Sequence, residues 1–305
     1  MPLIQVIHNP GAGDGELSKE AIISPLEKAG YTCVYHSTKS LLTWKAFNLE
    51  KSDVILIAGG DGTVRKTCKV LLEKNYRERP VPIAVLPMGT ANNLSKTLLP
   101  FPDITALLES IGSASVTSFG IGLTNLPDKN FFMESFGYGI FPFLMKEMKN
   151  RKISANTPKE EVTAALELLH ELVLTYPPRH CELIVDEVPF SGDYIMAEIM
   201  NIKSIGPNLF ISPNADPSDD RFEVVLVPTE KKQQFADYIS RTLDGNKATF
   251  EFIEHSGQNI TIIWEGTHVH IDDELLKLEE NTAVNIRIEQ SVFRFLVPAI
   301  KSYTA

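Results

Sequence analysis

The chain has little cysteine and no long apolar run. Its three cysteines, Cys33, Cys68 and Cys181, lie far apart and form no Cys-x-x-Cys pair, which favours reduced core thiols over disulfides or a zinc site. No apolar stretch approaches the ~20 residues of a membrane-spanning helix, and the start of the chain lacks the basic segment of a signal peptide. We therefore expect a cytoplasmic protein, with a peripheral position at the inner face of the membrane as an option.

Positive charge is also scarce. The formal net charge of −10 argues against a general nucleic-acid surface, because neutralising phosphates requires clustered Lys and Arg. One basic cluster follows the apolar stretch Ile140–Met145 and consists of Lys146, Lys149, Arg151 and Lys152. It fits either contact with an anionic membrane or a core helix with an exposed basic end, and sequence alone favours the helix.

The two common nucleotide fingerprints are absent, yet three glycine-rich loops are present. Each loop follows a short apolar run and precedes a helical pattern, which predicts repeated βαβ units with a parallel sheet. In such sheets ligands bind outside the carboxyl ends of the strands, where all three loops would lie. The strand and loop pairs are Leu3–His8 with Asn9–Gly15, Val54–Ala58 with Gly59–Thr63, and Ile83–Leu86 with Pro87–Asn93.

The loop Gly59–Thr63 opens a predicted helix over Asp61–Lys74. Glycines let backbone N–H groups approach an anion, and a helix N-terminus adds free N–H groups and a positive dipole end, so the loop predicts a phosphate site. A carboxylate at Asp61 would repel a phosphate unless it binds Mg²⁺ or a proton, which suggests a chemical role. The plain alternative is a tight turn in which Asp61 caps the helix.

The later part of the chain has a different pattern. Alternating and aromatic-rich runs within 115–139 and 180–203 predict antiparallel strands, and four further short strands are expected between 248 and 288. Helices are predicted over Lys159–Leu174 and Glu230–Leu243. We therefore predict two domains, an α/β domain over 1–124 and a mainly-β sandwich over 125–290.

Several motifs resemble one family. Gly59–Thr63 is similar to the signature of diacylglycerol, sphingosine and NAD kinases, and Pro87–Asn92 resembles the lipid-kinase branch, as does Asn9-Pro10. Two acidic segments, 213–220 and 272–274, resemble segments of bacterial diacylglycerol kinase-like proteins. The resemblance implies a Rossmann-like, NAD kinase-like first domain to which residues 291–305 return, followed by the β-sandwich.

The resemblance further implies transfer of a phosphoryl group from ATP, with Mg²⁺, to the hydroxyl of diacylglycerol or a related lipid at a membrane surface. Asp61 would orient the metal and Glu274 would take the proton of the acceptor hydroxyl. The metal residues implied are Asp216, Asp219 and Asp220. The nucleotide residues implied are Asn9, Thr38, Gly59, Gly60, Asp61, Gly62, Thr63, Gly89 and Thr90.

The chain also departs from the family pattern. Asn93, Gly120 and Arg221 stand where members have Asp, Asp and Gly, and Arg65-Lys66 replaces Asn-Glu. Two alternatives therefore stay open: a kinase of a soluble acceptor such as NAD or a sugar, and a catalytically weakened nucleotide-binding regulator. For Arg65 and Lys66, a solvated helix face is slightly favoured over a phosphate contact. Homodimerisation stays open as well.

His268 and His270 would lie on one face of a strand, and we favour strand histidines without a metal over a zinc or copper site. If that strand continues, Asp272 and Glu274 share a face and Asp273 points away. The strand would then aim both carboxylates at the site.

Overall fold

The structure is a computed structural model that describes residues 1–13, 17–40, 47–89, 91–127, 130–153, 157–246 and 249–298. The predicted nucleotide residue Thr90 lies outside the described residues. The chain divides into two compact units, a first unit of Met1–Phe119 with the segment from Ser291, and a second unit of Gly120–Gln290. The sequence prediction had set the first boundary at residue 124 and the second at 290.

The first unit is built on a parallel sheet. β1 pairs with β2 and β3, β3 pairs with β4, and Phe295 of β17 pairs with Ile83 of β4, so the order is β2-β1-β3-β4-β17. The central strands β3 and β4 are apolar, as is typical of parallel strands inside a sheet, whereas β1 also contains the buried polar residues Gln5 and His8. The strands are β1 Leu3–His8, β2 Thr32–Ser37, β3 Val54–Gly59, β4 Ile83–Pro87, the start of β5 Ser115–Thr124 and the end of β17 Val284–Val297.

Within the described residues of this unit, four helices accompany the strands, and strand residues such as Val6 and Leu56 pack with Ile22 and Leu26 of the first helix in one buried core. Side-chain caps fix two of the helix starts: Ser18 accepts the N–H of Ala21, and Asp103 accepts that of Ala106. The helices are α1 Lys19–Lys28, α2 Asp61–Glu73, α3 Asn93–Leu98 and α4 Ile104–Ser110, with 3₁₀ turns at Leu49–Lys51 and Tyr76–Glu78.

The second unit is dominated by antiparallel strands, in the order β16-β15-β7-β9-β8-β14-β17, with β12 paired to β9 and to β13. The strands are β6 Phe131–Phe132, β7 Ser135–Gly139, β8 Arg179–Val185, β9 Val188–Met200, β10 Ser204–Ile205, β11 Leu209–Phe210, β12 Phe222–Pro228, β13 Ile253–Gly257, β14 Asn259–Trp264, β15 His268–Ile271 and β16 Glu274–Lys277. The predicted α/β unit followed by a mainly-β unit is confirmed.

Three helices cover one face of these strands: α5 Ile140–Asn150, α6 Pro158–Thr175 and α7 Lys232–Leu243. They bury an apolar cluster against β9 and β12, while a second cluster around Phe136, Tyr138 and Trp264 lies among the strands. The helix predicted from Glu230 begins at Lys232, because Thr229–Lys231 forms a 3₁₀ turn.

Helix α5 and the residues just after it carry the basic cluster. Its side chains Ile140, Phe141, Pro142 and Leu144 are buried, so its apolar half belongs to the core. The basic end lies outside, where Arg151 makes a bidentate contact with Glu171 at 2.9 and 3.0 Å. No helix in the described ranges is long and apolar enough to cross a membrane.

The strand carrying the two histidines ends earlier than predicted. β15 stops at Ile271 and β16 begins at Glu274, with a two-residue turn at Asp272 and Asp273 between them. Asp272 has φ of 50°, a left-handed conformation that Asp tolerates in turns. The expectation that Asp272 and Glu274 share one face of a continuous strand is therefore wrong, because the chain reverses between them.

Candidate functional site

The three glycine loops of the first unit lie together at the carboxyl ends of their strands. Asn9 donates its backbone N–H to Ala58 O at 2.9 Å, and Met88 donates to Gly59 O at 3.0 Å. These bonds tie the loop after β1 and the loop after β4 to the end of β3. The sequence-predicted residues Asn9, Gly59 and Gly60 are thus brought together.

Close backbone approach explains the glycines of the two main loops. A Cβ added to Gly60 would lie 2.7 Å from the Cα of Gly89, and one added to Gly89 would lie 2.6 Å from the Cα of Gly60. A Cβ on Gly59 would meet the side chain of Thr63 at 2.6 Å. Only glycine fits at these positions, so the loops form one packed backbone surface.

The N-terminus of α2 opens from this surface. Its N-cap residue Gly60 has no side chain with which to cap the first turn, and Asp61 and Gly62 are the first two helical residues. Uncapped first-turn N–H groups and the positive end of the helix dipole attract an anion. The geometry is therefore suited to a phosphate group, and the phosphate site itself stays a prediction.

Polar side chains hold the edges of the loops. Asn9 Nδ2 donates to Thr63 Oγ1 at 3.1 Å, and the Asn92 amide both accepts from Gly89 N and donates to Gly89 O at 2.7 Å. The half-buried Thr38 follows β2 and donates its N–H to His8 O at 2.9 Å. Thr63 and Asn9 thus stabilise the loops, whereas Thr38 lies at the end of the neighbouring strand.

His8, the last residue of β1, lies at the same edge of the sheet. Its Nδ1 lies 2.8 Å from Tyr35 Oη, and burial together with the nearby Lys39 lowers its pKa below the ordinary value. A neutral imidazole that is 0% exposed suits the packing role that the sequence suggested.

Asp61 has a partner that sequence reasoning missed. Its carboxylate accepts the backbone N–H of Asn93 at 2.8 Å and that of Leu94 at 3.3 Å, so it caps the first turn of α3. Burial lowers the pKa of Lys96 in that helix, and the Asp61 charge opposes the shift. Asp61 therefore couples the loops after β3 and β4, and Asn93 contributes its backbone.

The two basic residues of α2 have different surroundings. Arg65 is 7% exposed and belongs to the buried side of the helix, whereas Lys66 is exposed. The expectation of a solvated face is thus wrong for Arg65. Arg65 and Lys66 are adjacent, and apolar and polar residues alternate closely along α2. The helical period alone therefore did not predict which of the two side chains is buried.

In the second unit, the acidic loop is a series of tight turns. Asp216 Oδ1 accepts the N–H and the hydroxyl of Ser218 at 2.9 and 2.7 Å, and Asp219 Oδ1 accepts Arg221 N at 3.0 Å. Burial raises the pKa of Asp219 above its ordinary value. Asp220 has φ of 63°. These contacts describe carboxylates that stabilise a loop.

These carboxylates are not gathered as metal ligands. Within the residues that the structure describes, no three Asp, Glu, His or Cys side chains lie closely enough to hold a metal ion. The assignment of Asp216, Asp219 and Asp220 to a metal stays a prediction that this geometry does not support. Arg221 instead fastens the loop to β13, donating to Ser256 Oγ at 2.9 Å and Ser256 O at 2.8 Å.

Asp272 anchors the strand next to its own. Its carboxylate accepts the backbone N–H groups of Met133, Glu134 and Ser135 at 2.8–3.2 Å, and it is 8% exposed. Glu274 follows the turn as the half-buried first residue of β16 and pairs with Ile271. Asp272 of the turn is thus structural, and Glu274 follows it two residues later.

A buried acid–base pair lies on the adjacent strands, and sequence reasoning missed it. His270 Nε2 lies 2.8 Å from Glu198 Oε2, and the two side chains are 2% and 0% exposed. His270 Nδ1 lies 3.0 Å from the carbonyl oxygen of Asp272. Only the register of three strands reveals the pair, because its members are 72 residues apart.

The α/β unit with its glycine-rich loops and the β-rich second unit define a class of two-domain, kinase-like proteins. Two family models match the chain: diacylglycerol kinase catalytic domain over residues 4–123, and YegS C-terminal NAD kinase beta sandwich-like domain over residues 148–290. The chain belongs to the family of bacterial diacylglycerol and lipid kinase-like proteins, as the motifs predicted.

Individual relatives agree with this assignment. The chain is 24% identical over 246 residues to a diacylglycerol kinase of Bacillus subtilis (78% of this chain, 77% of that protein). It is 25% identical over 230 residues to one of Staphylococcus saprophyticus (73% and 72%). A crystal structure of a diacylglycerol kinase from Bacillus anthracis shares the fold, with a TM-score of 0.69 and 22% identity over 97% of this chain and 96% of that one.

Proposed function

We propose that the protein is an ATP-dependent lipid kinase that transfers a phosphoryl group to the hydroxyl of diacylglycerol or a related lipid. The observation that carries this proposal is the packing of Gly60 against Gly89 at the uncapped start of α2. Backbone N–H groups there meet an anion without an intervening Cβ. The names of the relatives support diacylglycerol as the acceptor.

The nucleotide phosphates would lie against the loops after β3 and β4. Gly59, Gly60, Gly62 and Gly89 would supply the backbone surface, and Thr90 is proposed with them from the family motif. Asn9 and Thr63 would stabilise the conformation of these loops through their mutual hydrogen bond of 3.1 Å. Thr38 would lie near the nucleotide because it directly follows the adjacent strand β2.

The residues present fit a Mg²⁺ ion that is held mainly by the nucleotide. The carboxylate of Asp61 lies at the start of α2, where the nucleotide phosphates would bind, and accepts the backbone N–H groups of Asn93 and Leu94. Carboxylate oxygens are ligands that suit Mg²⁺. Mg²⁺ usually takes one or two carboxylates and completes its coordination with water and substrate phosphates. When bound, the ion would neutralise the charge of the transferring phosphoryl group.

Glu274 is the proposed general base. It stands at the start of β16, directly after a turn that Asp272 fixes through three backbone N–H groups. A base in so fixed a position can remove the acceptor proton as the oxygen–phosphorus bond forms. The acceptor lipid is proposed to be presented at a membrane surface, with the protein at its cytoplasmic side.

An assay with labelled ATP, Mg²⁺ and mixed micelles containing diacylglycerol tests the proposal. We expect label in the lipid fraction. Micelles without diacylglycerol serve as the control, and calorimetric titration of ATP runs beside the assay. ATP binding without label in any lipid or soluble acceptor would overturn the kinase and favour the regulator.

The regulator is the second candidate, and the contacts of Asp61 favour it. This carboxylate caps α3 through Asn93 and Leu94, so it has a structural role that needs no metal. At the other altered position, Gly120 donates to Pro217 O at 2.7 Å, and a Cβ there would lie 3.2 Å from Glu289 O. Glycine suits that close packing. The chain therefore lacks, at this position, the Asp of the family pattern.

A further inference from the structure

The buried pair in the second unit crosses three adjacent strands. His270 of β15 stands opposite Gly137 of β7, and Gly137 stands opposite Glu198 of β9. Residues paired in this way point to the same face of a sheet. Gly137 has no side chain, so the imidazole and the carboxylate meet above it at 2.8 Å.

Gly137 is indispensable to that meeting. A Cβ there would lie 1.9 Å from Glu198 Oε2 and 2.0 Å from Cδ. The neighbouring registered sets, Phe136–Ile199–Ile271 and Tyr138–Ala197–Val269, point to the opposite face and belong to the apolar cluster among the strands. The polar pair therefore lies on the face of these strands that is opposite to the apolar cluster.

The hydrogen bonds determine where the protons lie. Nδ1 of His270 faces a carbonyl oxygen, which only accepts, so Nδ1 carries a hydrogen and donates to Asp272 O. The contact between Nε2 and Glu198 Oε2 then needs one more proton, shared by the two groups. Glu198 Oε1 is buried and has no hydrogen-bond partner among the described residues, so Glu198 is held through His270.

The turn at Asp272 and Asp273 connects the buried pair to the proposed base, Glu274. Asp272 receives the His270 hydrogen bond at its carbonyl and binds the N–H groups of 133–135 with its carboxylate, and Glu274 follows two residues later. We propose that Glu198 and His270 are positioning residues which, by holding the carbonyl of Asp272, fix the turn that aims Glu274. This inference rests on the proposed function only for the role of Glu274.

The test variant replaces both members, Glu198→Leu with His270→Leu. Removing one member would leave a buried charge uncompensated and could unfold the protein, whereas replacing both with apolar groups of similar volume is commonly tolerated. Glu198→Gln is the conservative variant, because its amide can donate to Nε2 of a neutral His270. His268→Gln removes a histidine from the same strand without touching the pair and is the matched control.

The first readout is hydrogen exchange of backbone amides, which needs no activity. We expect amides of 133–135 and 272–276 to exchange at least about tenfold faster in the double variant, with wild-type rates in Glu198→Gln and His268→Gln. Unchanged exchange in a folded double variant would overturn the proposal. Faster exchange throughout the second unit would also overturn it, because it would show a general packing role.

The second readout is lipid phosphorylation. If the wild type is active, the double variant should lose about 10- to 100-fold in kcat with an unchanged KM for ATP, and Glu198→Gln should retain activity. A wild-type kcat in the double variant would overturn the positioning of Glu274. An inactive wild type would instead defeat the proposed function, and hydrogen exchange would still decide whether the pair fixes the turn.

Discussion

At the scale of single residues, the candidate phosphate site depends on two positions that have no side chain. Gly60 and Gly89 permit two loops to pack backbone against backbone, with an added Cβ at either position within 2.7 Å of the other Cα. Real Cβ atoms do not tolerate such distances, so any larger residue separates the loops. The arrangement of the N–H groups that we propose to bind phosphate is therefore set by two positions that contribute no side-chain functional group.

We expect Gly60→Ala and Gly89→Ala each to weaken ATP binding at least about tenfold, which corresponds to about 1.4 kcal/mol. The added methyl group displaces the partner loop and misplaces its N–H groups. Calorimetric titration of ATP measures the effect. Gly112→Ala is the control, because no described atom lies within 4 Å of a Cβ there. Equal affinity in all variants would show that the loops are turns only.

Glu274 provides a second prediction at this scale. Glu274→Gln keeps the size of the side chain and removes its basicity, so turnover should fall about 10²–10⁴-fold while ATP affinity stays unchanged. Steady-state kinetics with diacylglycerol micelles and ATP titration measure the two quantities. Turnover equal to the wild type would remove Glu274 from the mechanism. The exposed neighbour, in Asp273→Asn, serves as the control.

At the scale of elements, local patterns predicted the parts that depend on neighbouring residues. Strand β3 and helix α2 could be predicted because a β-branched run, two glycines and an amphipathic helix follow one another within twenty residues. The hairpin β15–β16 could not, because Asp272-Asp273 lacks the glycine that marks a tight turn. Its stability comes instead from N–H groups at 133–135, far away in sequence.

The buried pair shows the same limit at longer range. Glu198 lies inside an apolar run and His270 in an alternating one, and neither has a signal that names the other. The three-strand register that joins them across Gly137 arises only from tertiary pairing. Sequence reasoning therefore predicted the glycine loops of the first unit, but it did not predict the buried pair or the Asp272 contacts of the second unit.

The pair should make stability depend on pH. Burial lowers the pKa of His270, but the charge and hydrogen bond of Glu198 and those of Asp272 together outweigh burial, so the net pKa is raised; burial also raises the pKa of Glu198. Asp272 is the other charged group facing His270, whereas Gly137 and Leu275, its strand partners, do not titrate, and Lys146 of α5 acts on His268. The folded pair thus keeps a proton that the unfolded chain releases.

Stability from a raised histidine pKa is complete below about pH 6.5 and is lost as pH rises through the folded value. We expect the free energy of unfolding to fall above pH 6.5 by up to about 1.4 kcal/mol per pH unit, and this fall to be absent in the Glu198→Leu, His270→Leu variant. Urea unfolding at several pH values measures it. Identical slopes in both proteins would contradict the shared proton.

At the scale of the whole molecule, each unit is stabilised by its own apolar core, and no cluster of metal-binding side chains within the described ranges contributes. Mg²⁺ would enter with the nucleotide. We therefore expect the proposed chemistry, but not the fold, to need a divalent ion, and this difference can be measured.

We expect a chelator to abolish phosphoryl transfer while it changes the thermal midpoint by less than about 2 °C. Differential scanning calorimetry with and without chelator measures the midpoint, and added Mg²⁺ should restore transfer. A fall of many degrees would instead reveal a structural ion and would restore Asp216, Asp219 and Asp220 as its candidate ligands.

The last strand has a consequence for how the chain is made. The first unit gains its β17 residues, including Phe295 beside Ile83, only after the whole second unit has been synthesised. Until then β4 is the outer strand of its sheet, with unpaired backbone groups that can join another chain. A ribosome therefore completes the inserted unit before the unit that surrounds it in sequence, and a product that ends at residue 119 would carry an open, aggregation-prone edge.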